Sequence, residues 1–121
     1  VGVLEGSRYE AMLKDFFPKS KVVAFAKRQE MQEALIDSNV DAIFADGLRL
    51  PFWVNGSDSK NCCALFDGAY FSDQHLGEGF TIMAIDQNNQ LIPAIDQALA
   101  ELSRNGRLDE IYRRYFPFGF Y

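Results

Sequence analysis

The sequence has no long apolar run. Nothing in it approaches the ~20 consecutive apolar residues that a membrane span requires, which removes the integral helical membrane classes. Positive charge is also short: 12 Lys and Arg stand against 17 Asp and Glu, for a formal net charge of −5. The basic residues are scattered, so no stripe could neutralise a row of phosphates, and nucleic acid is not an expected partner. There is one histidine, His75, and there are only two cysteines, the neighbours Cys62 and Cys63. A bond between adjacent cysteines would be strained and closes no long loop, so the pair makes no disulfide framework. With His75 it lacks the ligand count and spacing of a zinc site, and no metal or cofactor is expected. Neither an initiator Met nor a leader with a basic start and apolar stretch is present, so the numbering is expected to begin inside a longer protein.

What is present suits one folded unit. At 121 residues, with 48% apolar and 24% charged residues, the chain can build a core but not two full domains. VGVLE, KVVAFA, DAIFAD and FTIMAI are short runs rich in β-branched or aromatic residues, which predicts four strands. The first three are separated by segments of helical period. In SRYEAMLKDFF, Met12, Leu13, Phe16 and Phe17 share a side and Pro18 stops the helix. In RQEMQEALIDS the stripe is Met31, Ala34 and Leu35. This order predicts an α/β fold with a mostly parallel sheet flanked by crossover helices. From Pro51 to Gly79 the composition turns to Gly, Asn, Asp and Ser with interleaved aromatics, which reads as a short helix and long loops. Two further helices follow, one carrying Ile92, Ile95, Leu99 and Leu102 and ending at Asn105-Gly106, the other carrying Leu108, Ile111, Tyr112 and Tyr115 and ending at Pro117.

In a parallel α/β sheet, ligands gather at the carboxyl ends of the strands, where loops become helix N-termini. Two such ends carry polar groups here: Gly6, Ser7 and Arg8 after the first strand, and Asp46 with Gly47 after the third. A helix starting near Ser7 offers unsatisfied N–H groups and the positive end of its dipole to a carboxylate. Asp46 offers an acceptor to an ammonium group, so together the ends suit an α-amino acid zwitterion. Plainer readings stand beside this. Gly-Ser at such a turn also serves as an N-cap, and Asp before Gly also serves as a turn residue. His75, in a Gly/Asp-rich stretch, reads as a solvated loop residue. Asp41 and Asp46, five positions apart, point to different ends of a strand.

VGVLEGSRYEAML, VVAFAKRQEMQEALIDSNVDAIFAD, GFTIMAI and LIPAIDQALAELSRNGRLDEIYRRYF follow one another in the order and spacing of the polar amino acid-binding proteins of bacterial ABC importers, and RRYFPFGFY resembles the lysine/arginine/ornithine and histidine binders among them. The resemblance implies a periplasmic-binding-protein-like fold in which residues 1–78 form the second ligand-binding lobe, 79–86 the return hinge strand and 87–121 helices belonging to the first lobe, which is otherwise largely missing. It also implies a non-enzymatic role: capture of a polar or basic amino acid, or an opine-like derivative, for delivery to a membrane permease, from a periplasmic or lipid-anchored extracellular position. Carried over by position, Ser7 and Arg8 match the turn that meets the ligand carboxylate, Asp46 the acceptor of its ammonium, and Leu4 a strand residue lining the cleft. Arg8 departs from the small hydroxyl residue usual there, and is expected to face either a ligand carboxylate or a protein acid such as Glu5 or Glu10. The C-terminal aromatics are expected to pack on the missing lobe, or to drive self-association without it. Two other readings of the same fold remain open: a cyclohexadienyl dehydratase-like lyase using Glu5 or Asp46, and a sensory domain of a larger protein.

Overall fold

The computed structural model describes residues 1–77, 82–85 and 90–116. It is a small α/β structure whose sheet is short and parallel. Strand β1 (Gly2–Leu4) pairs with β2 (Val23–Phe25), with Gly2 opposite Val23, Val3 opposite Ala24 and Leu4 opposite Phe25. Helix α1 (Arg8–Phe16) makes the crossover between them, and α2 (Arg28–Ile36) follows β2. Two parallel strands need such a crossover, because a tight hairpin can join only antiparallel ones.

The segment DAIFAD joins the free edge of β1, but only as a single parallel bridge between Gly2 and Ile43. Gly2 N donates to the Ala42 carbonyl at 2.8 Å and Phe44 N to the Gly2 carbonyl at 2.8 Å. The full third strand that the sequence predicts does not form. The next bonds of this ladder would be Leu4 N to the Phe44 carbonyl and Asp46 N to the Leu4 carbonyl; neither forms, and the Leu4 carbonyl accepts Ser7 N at 3.3 Å and Ser7 Oγ at 2.6 Å. The predicted fourth strand, FTIMAI, lies partly outside the described residues, and its described part, 82–85, has no strand pairing.

The core sits between β1, α1 and α2. Val3, Met12, Leu13, Met31, Ala34 and Val40 are buried, at spacings that place Met12 and Leu13 of α1 and Met31 and Ala34 of α2 inward. Burial of each large side chain contributes about 1.5–3 kcal/mol. The far end of α1 closes on aromatic rings. Phe16, Phe17, Phe44 and Tyr70 meet at centroid distances from 5.3 to 6.5 Å, largely edge to face. Phe17 caps α1 by donating its N–H to the Leu13 carbonyl, and Pro18 ends the chain's helical path.

The middle of the chain is built from α3 (Leu50–Asn55), a 3₁₀ turn (Ser57–Ser59) and α4 (Asp73–Leu76). Ser59 is fully buried there, and its hydroxyl is engaged with the Val54 carbonyl at 2.9 Å, the Gly56 carbonyl at 3.0 Å and Asn61 N at 3.3 Å. Cys62 and Cys63 are bonded to each other, a pairing that their adjacency in sequence had argued against.

The chain divides into two compact units, the first running to Glu78 and the second beginning at Gly79. In the second, α5 (Leu91–Arg104) and α6 (Arg107–Tyr115) form a helical hairpin. Asn105 caps α5 and Gly106 turns the chain at φ +75°, as the Asn-Gly signal predicts. Glu110 pairs with Arg107 and, at 2.9 Å, with Arg114 along α6. Among the described residues no helix is long and apolar enough to cross a membrane.

Candidate functional site

The site begins with three residues of β1. Parallel pairing on one side and the Ile43 bridge on the other bring the carboxyl end of β1 beside the end of the 42–46 segment. Leu4, half-buried, is the last residue of the strand, and its carbonyl anchors the following turn. Gly6 takes a φ of +65°, a conformation glycine adopts at little cost, and swings the chain into α1.

Ser7 is the N-cap of α1. Its hydroxyl accepts Glu10 N at 3.3 Å, and the Glu10 carboxylate reaches back to Gly6 N at 2.7 Å, a variant of the reciprocal capping box. Lys14, one turn on, bonds Glu10 at 2.6 Å. These two contacts, Lys14 first and Gly6 N–H second, hold the Glu10 carboxyl below its ordinary value. The capping role of Ser7 is therefore realised. The helix still offers donors, because the N–H groups of Arg8 and Tyr9 have no acceptor among the described residues.

Asp46 is half-buried, and it too performs the plainer role: its Oδ1 accepts Leu48 N at 2.9 Å, while its carbonyl accepts Arg49 N at 3.1 Å and Leu50 N at 3.0 Å, starting α3. The Tyr9 phenol stands close enough to the same carboxylate to feel its charge. The phenol is held above its ordinary value, first by burial and then by the Asp46 charge, with Arg8 and Arg49 pulling the other way. The start of α1 and the end of the 42–46 segment thus meet at Tyr9 and Asp46.

Tyr9 and Arg49 are the members of this cluster that the sequence did not name as site residues. Their only signal was position: Tyr9 is two residues into a helix whose cap was recognised, and Arg49 is three beyond Asp46, where a turn returns. Arg8 meets neither Glu5 nor Glu10. Its Nη1 donates to the Leu76 carbonyl at 3.2 Å, at the end of α4. Glu5 is exposed and uses its backbone N–H on the Phe25 carbonyl, so it is not a buried acid.

His75 corrects a further expectation. It is not a solvated loop residue, since its side chain is only 9% exposed. Nδ1 pairs with Ser72 Oγ at 2.7 Å and Nε2 with Asp15 Oδ2 at 2.9 Å, with Phe16 edge-on at 6.2 Å. Ser72 is meanwhile the N-cap of α4. The arrangement ties α4 to α1, and Arg8 adds the second tie. No group of three or more metal-ligating side chains exists among the described residues.

No family model matches the chain. Curated relatives do, from end to end. The chain is 27% identical over 124 residues, 100% of its length, to the lysine/arginine/ornithine-binding periplasmic protein of Escherichia coli. It is 30% identical over 125 residues, 99% of its length, to the L-arginine-binding protein of Pseudomonas aeruginosa. It is 28% identical over 131 residues to the histidine-binding periplasmic protein of Salmonella typhimurium. In each case the match spans 47% of the relative, so the chain corresponds to about half the length of the proteins it matches. Along its whole length the chain is therefore related to the periplasmic binding proteins for polar amino acids.

Proposed function

We propose that this chain supplies one wall of an amino acid-binding cleft: the second lobe of a periplasmic solute-binding protein that passes a polar or basic amino acid to an ABC permease without altering it. The observation that carries this reading is the pairing of opposite preferences at adjacent strand ends. The open N–H groups of Arg8 and Tyr9 at the start of α1 suit a carboxylate, and the Asp46 carboxylate, beside Tyr9, suits an ammonium. An α-amino acid bridges the two, with Leu4 against its carbon skeleton and Ser7 shaping the turn. Arg8 and Arg49 add positive charge beside the carboxylate position, which favours ligands with a second acidic group, such as an opine. The relatives' names, all of which describe binding, support a non-enzymatic role and a periplasmic location.

The test is a nitrogen-15 NMR titration of the chain with L-arginine, L-lysine and L-histidine into the millimolar range. Shifts confined to the amides of residues 6–9 and 46–48, and lost in Asp46→Ala, are the expected result. Perturbation elsewhere, or an unchanged titration in Asp46→Ala, would remove this site.

A further inference from the structure

We propose that Cys62 and Cys63 form a reversible thiol–disulfide exchange site, reduced by a dithiol and reoxidised without unfolding, whose state sets the wall of a neighbouring surface cavity. The bond joins residues one apart in sequence. It therefore removes almost no freedom from the unfolded chain, which is the usual way a disulfide stabilises a fold. Nor is it required to hold its own segment. The buried Ser59 hydroxyl binds the Val54 and Gly56 carbonyls and Asn61 N, and Cys62 N donates to the Ser59 carbonyl at 3.0 Å. The turn is complete before the sulfurs are reached.

Access completes the case. Cys62 is exposed and Cys63 is half-buried, outside any regular element. Exchange requires a thiolate to reach one sulfur, and here Cys62 is the open one. The attacking thiolate of a dithiol bonds to Cys62 Sγ and expels Cys63 as a thiolate, which takes a proton. The second thiol of the reductant then displaces Cys62. Two electrons and two protons pass to the pair, and the reductant leaves as its own disulfide. Cys63 lines a cavity of about 400 Å³ with Val54, Asn55, Asn61, Ala64 and Leu65. Opening the bond frees the 62–63 peptide to rotate, so the cavity wall changes while the core of Val3, Met12 and Met31 does not.

The chain, as isolated and after treatment with dithiothreitol, is alkylated with iodoacetamide under native conditions and weighed intact, with nitrogen-15 spectra of both states. The expected result is no alkylation before treatment and both sulfurs alkylated after it. The melting temperature shifts by less than about 4 °C, and amide shifts centre on Asn55, Asn61 and Leu65. Diamide should restore the starting spectrum. Cys62→Ser/Cys63→Ser, which should melt like the wild type, shows neither label nor response. Resistance to reduction until denaturant is added, loss of the folded spectrum on reduction, free thiols that diamide does not join, or shifts that leave the cavity residues untouched would each overturn the proposal.

Discussion

The Tyr9 phenol stands beside the Asp46 carboxylate, whose charge helps to keep its proton in place, so the helix that follows the first strand and the turn that follows the 42–46 segment meet at these two side chains. Neither residue is near the other in sequence, and neither strand end is a site by itself. Tyr9→Phe, which removes the hydroxyl beside Asp46 and keeps the ring, should cost no more than about 1 kcal/mol in urea denaturation. In the whole protein, Asp46→Ala should weaken amino acid binding by at least about a hundredfold, because it leaves an ammonium without its charge partner. Calorimetry on both variants separates them: Tyr9→Phe retains the carboxylate and should retain most of the affinity.

Two glycines should fail for different reasons. A Cβ on Gly2 would lie 3.1 Å from Phe25 Cε2 and 3.2 Å from Ile43 Cγ2, in the packed core, so Gly2→Ala should destabilise by overpacking, about 1–3 kcal/mol. A Cβ on Gly6 would meet nothing within 4 Å, but φ there is +65°. Gly6→Ala should cost about 1–2 kcal/mol of backbone strain, and Gly6→Asn less, because Asn tolerates that region. Equal urea midpoints for Gly6→Ala and Gly6→Asn would contradict the account.

The acid side of the stability curve should carry the mark of Glu10. Its folded value lies below its ordinary 4.5 because Lys14 and Gly6 N–H favour the carboxylate. The resulting stability is fully present above pH 4.5 and is lost as pH falls through the lower folded value. Glu10→Gln should flatten that part of the curve between about pH 5 and 3 while leaving its slope above pH 6 unchanged. At the alkaline end, Tyr70 is raised above 10.0, chiefly by its hydrogen bond to Asp67. That contribution holds below pH 10 and disappears as pH rises through the folded value, which ultraviolet titration of Tyr70→Phe against wild type would show.

His75→Ala should destabilise the first unit by about 1–3 kcal/mol, because it removes a largely buried ring and leaves Ser72 Oγ without its imidazole partner. Arg8→Ala breaks only an exposed bond to the Leu76 carbonyl and should cost less than about 1 kcal/mol. Hydrogen exchange at α4 would register both, and equal effects would contradict the ranking.

Helices α1, α2, α5 and α6 were legible in the sequence because their apolar spacing, caps and stops are local: Ser7, Pro18 and Asn105-Gly106 act within one turn of themselves. The parallel order β1-α1-β2 followed from the same signals. What the sequence could not decide was competition between distant or mutually exclusive partners. DAIFAD has the composition of a strand, yet it pairs with β1 only at Ile43, and the Leu4 carbonyl that a longer ladder would use accepts Ser7. His75 looks solvated in its own stretch and is buried only because Asp15 and Phe16, sixty residues earlier, stand against it. Asp46 was visible as a strand-end acid, but that Tyr9 stands beside it depends on which edges of β1 are occupied. Propensity and capping energies are set by neighbours in the chain, whereas a carbonyl's choice of donor and a side chain's burial are set by whatever the fold brings to it.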